Sequence, residues 1–94
     1  MNHLLTLFAI FFCLAAHAAT YYISPSGNDA TGNGSAASPW KTLYKATSTV
    51  TSSGNIIHVN AGTYVETLTS TLALGVSIEG EGNTSIIRAS FSTG

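Results

Sequence analysis

The stretch from Gly54 to Ala89 limits the folds open to this chain more than any other, because it states one short pattern twice. Ile57 and Val59 flank His58, and nineteen positions later Val76 and Ile78 flank Ser77. Alternation of this kind reads as a strand with one face buried. Each pair leads into a small turn, Ala61-Gly62 in one case and Gly80-Glu81-Gly82 in the other. Each turn leads into a second β-prone run, Thr63-Tyr64-Val65 and Ser85-Ile86-Ile87. Strand, turn, strand therefore recurs at a nearly fixed offset, and a period of roughly 20 residues or slightly more signals a solenoid. Short strands stacked in parallel, one coil above another, make a β-helix. The alternation places Ile57, Val59, Val76 and Ile78 inside. It places His58, Ser77 and Glu79 outside, with His58 and Ser77 stacked on one face.

Four blocks carry a resemblance: Tyr21-Tyr22-Ile23-Ser24-Pro25-Ser26-Gly27-Asn28-Asp29, Ser38-Pro39-Trp40-Lys41-Thr42-Leu43, Ala61-Gly62-Thr63-Tyr64-Val65-Glu66 and Ile78-Glu79-Gly80-Glu81-Gly82. Together they resemble the amino-terminal end of secreted right-handed parallel β-helix proteins, the pectate-lyase-like superfamily. The resemblance implies an all-β solenoid: about two coils at the start of a right-handed parallel β-helix, with one amino-terminal capping α-helix. It also implies a protein that binds or cleaves extracellular polysaccharide, by lyase or hydrolase chemistry at an active site outside this segment. A non-enzymatic cell-surface or adhesin-type β-helix protein is the alternative. The resemblance names no cofactor and no catalytic residue here.

Residues 1–18 read as a signal peptide. An apolar run from Leu4 to Ala16 is followed by Ala16-His17-Ala18, small residues at the −3 and −1 positions of a cut before Ala19. The run is short of the ~20 apolar residues needed to span a bilayer, so the mature chain is expected to carry no membrane span and to be secreted or held at the cell surface. The n-region lacks Lys and Arg, and a buried helix is the other reading of the run. A lipoprotein anchor at Cys13 would place the bulky Phe12 where a small residue belongs.

Residues 19–94 form the expected domain: the cap and first coils of a parallel β-helix, truncated. Cys13, the single cysteine, leaves with the leader, so no disulfide staples what remains. A coil cannot bury its apolar face alone and about three are needed for stability. The segment is therefore read as the front end of a longer protein, with edge pairing to another copy as the other way to cover an open coil. Charges are few. Lys41, Lys45 and Arg88 stand against Asp29, Glu66, Glu79 and Glu81, for a net charge of −1. Nucleic acid as a partner would need clustered Lys and Arg.

Thr20 to Ser24 is β-prone and stops at Pro25, and Pro25 to Ser38 has turn composition. Gly32-Asn33-Gly34-Ser35-Ala36-Ala37 imitates a dinucleotide fingerprint, but no strand leads directly into it. Asp29 is the one carboxylate of this loop, whereas calcium wants six to eight oxygens; a turn-forming role is expected. Ser38 is expected as N-cap and Pro39 as the first residue of a helix of roughly three turns ending at Gly54. Trp40, Leu43, Ala46, Thr47 and Val50 fall on one face, and Trp40 is expected in the core rather than as a sugar-stacking platform.

Among chemistry-bearing residues, His58 with Ser77 is a conceivable catalytic pair, against the commoner solvated strand face. Tyr64 is expected to pack, and Glu66 to lie on the surface or bond the turn. Arg88 is the one base near an apolar pair. Uronate-cleaving lyases of the superfamily need a basic residue with acidic calcium ligands, and no such cluster is present. Too few acids exist for a Ser-His-Asp set. Asn33-Gly34-Ser35 and Asn83-Thr84-Ser85 are sequons, of a kind frequent by chance in Ser- and Thr-rich chains.

Overall fold

A computed structural model describes residues 18–90. The expected signal peptide, apart from Ala18, lies outside the described residues, as does the expected end of the chain at 91–94. Five strands, one α-helix and one short 3₁₀ turn make up the described part. The strands are β1 (Thr20–Ile23), β2 (Ile56–Val59), β3 (Gly62–Glu66), β4 (Ser77–Gly80) and β5 (Ser85–Ala89). The helix α1 spans Leu43–Thr49 and the 3₁₀ turn Gly82–Thr84.

All strand pairs are parallel. One sheet has the order β1-β2-β4 and the other joins β3 to β5. The two strand–turn–strand units thus lie side by side, each giving its first strand to one sheet and its second to the other. The register is set residue by residue. Tyr22 pairs with His58 and His58 with Glu79, while Tyr64 pairs with Ile87.

This register corrects the expected offset. Ile57 lies opposite Ile78, not Val76, and His58 lies opposite Glu79, not Ser77, which pairs with Ile56. The reason is the turn at Gly75, whose φ of 84° needs a residue without a Cβ. It holds Val76 outside β4, so the repeat is two positions longer than the apolar pairs suggest. The second half-unit steps further still, because Glu81 to Thr84 form a longer turn than Asn60-Ala61.

The core comprises Ile23, Trp40, Ala46, Val50, Ile57, Val59, Tyr64 and Val76. Ile57 and Val59 are inside as expected, and Val76 is buried although it precedes its strand. Ile78 is a correction: it shares the inward face with Ile57 but is 43% exposed. It sits on the edge strand β4, where no described strand covers it. Ile86 and Ile87 are half-exposed on β5 in the same way.

The helix departs from expectation at both ends. Its N-cap is Thr42, whose side chain accepts from the Lys45 N–H at 3.0 Å. Ser38-Pro39 stays non-helical because Asp29 captures the chain beyond it, accepting from the N–H groups of Lys41 at 2.7 Å and Thr42 at 3.0 Å. Trp40 therefore joins the edge of β1 as a parallel bridge to Ile23 instead of starting the helix. At the other end Val50 caps at ψ 96°, well before Gly54. There the β-branched run lowers helix propensity, and the hydroxyls of Thr47, Ser48 and Thr49 bond the carbonyls of Tyr44 and Lys45.

These departures still produce a covered end. The outer edge of β1 is satisfied by the loop: Tyr22 N–H donates to Gly34 O, Trp40 N–H to Tyr22 O, and Ser24 N–H to Trp40 O. α1 packs against β1 and β3, one strand of each sheet. An unpaired strand edge is thereby blunted on this side.

Candidate functional site

The parity of the strands decides which side chains face outward. Because Ile23, Ile57 and Val59 point into the core, Tyr22, His58 and Glu79 line the opposite face of the β1-β2-β4 sheet, one per strand and in register. The rings of Tyr22 and His58 are 5.4 Å apart and tilted by 52°. His58 Nε2 lies 2.8 Å from Glu81 Oε2, and Nδ1 lies 3.7 Å from Glu79 Oε2. The imidazole is thus held between two carboxylates, with its side chain 22% exposed. The hydrogen bond to Glu81 raises its pKa above the ordinary 6.5, with help from Glu79 and against a lesser opposing effect of burial.

Glu81 is itself fixed. Its N–H donates to Ser85 Oγ, and that hydroxyl donates to Val59 O at 2.8 Å; Thr84 Oγ1 donates to Glu81 O. The turn between β4 and β5 is thereby tied back to the end of β2. An aromatic ring beside a paired imidazole and two acids is a surface of hydrogen-bond donors and acceptors with one apolar platform. A serine nucleophile beside His58 is not assembled, since Ser77 stands opposite Ile56.

The other candidate residues turn out to be structural. Asp29 places Oδ1 on two backbone N–H groups and Oδ2 on the Thr42 hydroxyl at 2.7 Å, so it orders the approach to α1. Glu66, expected at the surface or on the turn, is instead 5% exposed. Its oxygens accept from the N–H groups of Leu43 at 3.0 Å and Tyr44 at 3.1 Å. The first turn of a helix has N–H groups without intrahelical partners, and carboxylates are favoured there. Tyr64 packs as expected. Its hydroxyl lies 3.0 Å from Ile23 O and 2.7 Å from Asn60 O, and burial, with the charge of Glu81 adding, pushes its pKa to about 12.

Trp40 is buried, stacked on Tyr21 at 5.9 Å, with Nε1–H donating to Gly32 O. The glycines that imitate a dinucleotide fingerprint serve this indole: a Cβ on Gly34, whose φ is +84°, would lie 2.8 Å from the Trp40 ring. Arg88 is exposed on β5, opposite Val65. Among the described residues no group of three or more His, Cys, Asp and Glu side chains is placed to hold a metal ion. Shallow clefts of about 330 and 220 Å³ flank Val65; Thr42 and Tyr64 line the first, Thr42 and Tyr44 the second.

Sequence reasoning placed His58 and Glu79 on the outward face but missed Tyr22 and Glu81. Tyr22 is signalled only by the register of β1 on β2, and Glu81 only by the turn that follows β4.

A family model described as "Protein of unknown function (DUF1565)" matches residues 25–85. The chain belongs to this family. The DUF1565 family is associated with β-helix-like proteins. Its match runs from the residue after Ser24 to the first residue of β5, and so takes in Asp29, Trp40, His58, Glu66, Glu79 and Glu81; Tyr22 precedes it. No curated protein and no solved structure matches the chain. No helix among the described residues is long and apolar enough to cross a membrane.

Proposed function

We propose that this DUF1565 chain is the capped opening segment of a secreted right-handed parallel β-helix of the pectate-lyase-like kind, and that it binds extracellular polysaccharide along the outward face of β1, β2 and β4. The parallel, in-register stacking of two strand–turn–strand units supports the β-helix reading. Right-handedness follows from the strong preference of parallel crossover connections. The apolar leader and the Ala16-His17-Ala18 cut support export.

The observation that carries the functional reading is the row Tyr22–His58–Glu79, one side chain per strand on a single face. Such a row presents an aromatic edge and fixed polar groups at the spacing of successive strands, about 4.8 Å. A sugar ring needs an apolar platform and directional hydrogen bonds, and this face offers both. Binding is preferred to cleavage because both ring nitrogens of His58 face carboxylates, Glu81 at 2.8 Å and Glu79 at 3.7 Å, and neither is turned toward an incoming sugar.

The test is affinity electrophoresis or calorimetry of the full chain against neutral and uronate polysaccharides. Binding to at least one of them is expected, with Tyr22→Ala weakening it roughly two- to tenfold, the range of aromatic contact energies. Absence of binding to all of them, or binding that Tyr22→Ala leaves unchanged, overturns the reading.

A further inference from the structure

The outward face also holds an arrangement that saccharide binding does not require. His58 is the meeting point of three elements: Tyr22 reaches it from β1, Glu79 from β4 and Glu81 from the turn before β5. These are the titratable groups facing it among the described residues. We propose that His58 is a proton-operated clip that fastens the β4–β5 turn to β2.

The chemistry follows from the donor inventory of imidazole. A neutral ring has one N–H and one lone pair. With the proton on Nε2 it still donates to Glu81 at 2.8 Å, but its Nδ1 lone pair then faces the Glu79 carboxylate at 3.7 Å. Protonated, both nitrogens are donors, the contact with Glu81 becomes an ion pair as well as a hydrogen bond, and the contact with Glu79 becomes attractive. Glu81 begins the turn that Ser85 Oγ ties to Val59 O, and Thr84 N–H and Oγ1 both donate to Glu81 O. Deprotonation weakens the Glu81 contact to a bond from a neutral donor and removes the attraction to Glu79, so the turn is left to the serine tie and to the pairing of β5 with β3, and it loosens.

The sign is fixed by the direction of the shift. The pKa of His58 is raised in the folded chain, chiefly by the bond to Glu81. Its stabilisation is therefore complete below the unfolded value of about 6.5 and is lost as pH rises through the folded value. The pair is partly exposed, so its effect is modest and screened by salt. This inference stands apart from polysaccharide binding, and its test contains no saccharide.

The experiment is amide hydrogen exchange of the full chain, corrected for the intrinsic pH dependence of exchange, combined with an NMR titration of the His58 ring. Protection at the Thr84 amide and along β5 should fall roughly two- to fivefold as pH rises through the His58 titration, the range for an exposed ion pair. His58 should titrate above 6.5. His58→Gln keeps a donor near Glu81 and should remove the pH step while preserving the fold, read by circular dichroism. Glu81→Gln should lower the His58 pKa without touching the imidazole. Equal protection across the titration in the unsubstituted chain, or a His58 pKa at or below 6.5, overturns the clip. A pH step that survives His58→Gln overturns it as well.

Discussion

Both carboxylate oxygens of Glu66 are taken up by backbone N–H groups of α1, more than twenty residues earlier in the chain. The bond joins the last residue of β3 to the cap and is nearly free of solvent. Glu66→Gln replaces one acceptor by an NH₂ group that faces another donor. A cost of about 1–3 kcal/mol is expected, read as a fall in Tm of at least about 4 °C for a domain of this size. An unchanged Tm would mean that the helix start is satisfied by water. Nothing local in the sequence announces this role, since Val65-Glu66-Thr67 reads as the end of a surface strand. Asp29 is the same case, with partners twelve and thirteen positions on. By contrast Trp40 and Tyr64 were legible as core residues, because a large aromatic ring in a Ser- and Thr-rich chain has few ways to stay out of water.

The strands were readable as elements but not in register. Period-two alternation marks which side of a strand is buried, and it assigns Ile57, Val59 and Ile78 to one face and His58 and Glu79 to the other, as observed. It does not count the residues in a turn, so the pattern extends β4 back to Val76, whereas Gly75 turns the chain just before it and β4 begins at Ser77. Inwardness and burial also part company at the edge. Ile57→Ala removes methyl groups from a fully buried site and should cost about 2–4 kcal/mol. Ile78→Ala, on the same face but 43% exposed, should cost about 1 kcal/mol. Urea unfolding of the two variants compares them, and equal losses would show that β4 is covered in solution. In the helix, Ser38-Pro39 is a sound local start signal, but the reach of Asp29 across the loop outweighs it and delays the first turn to Leu43.

At the scale of the molecule the two ends differ. One edge is closed by the Gly34 and Trp40 backbones and by α1, while the β4–β5 side presents Ile78, Ile86 and Ile87. A sheet that is closed on one side and apolar on the other is the arrangement the proposed β-helix opening requires. The outward row of Tyr22, His58 and Glu79 follows from the same stacking and moves with it: a slip of two residues puts Ser77 beside His58 and dissolves the site. The register between β2 and β4 is therefore the claim on which fold and site both rest. Disulfide cross-linking of cysteine pairs, in a Cys13→Ser background, tests it. Directly opposed residues in neighbouring strands bring their Cα atoms within bridging range, whereas a two-residue offset separates them by roughly 8 Å, beyond the ~7 Å limit. The pair His58→Cys with Glu79→Cys should cross-link readily under mild oxidation, and His58→Cys with Ser77→Cys should not. Efficient cross-linking of the second pair in place of the first would contradict the account.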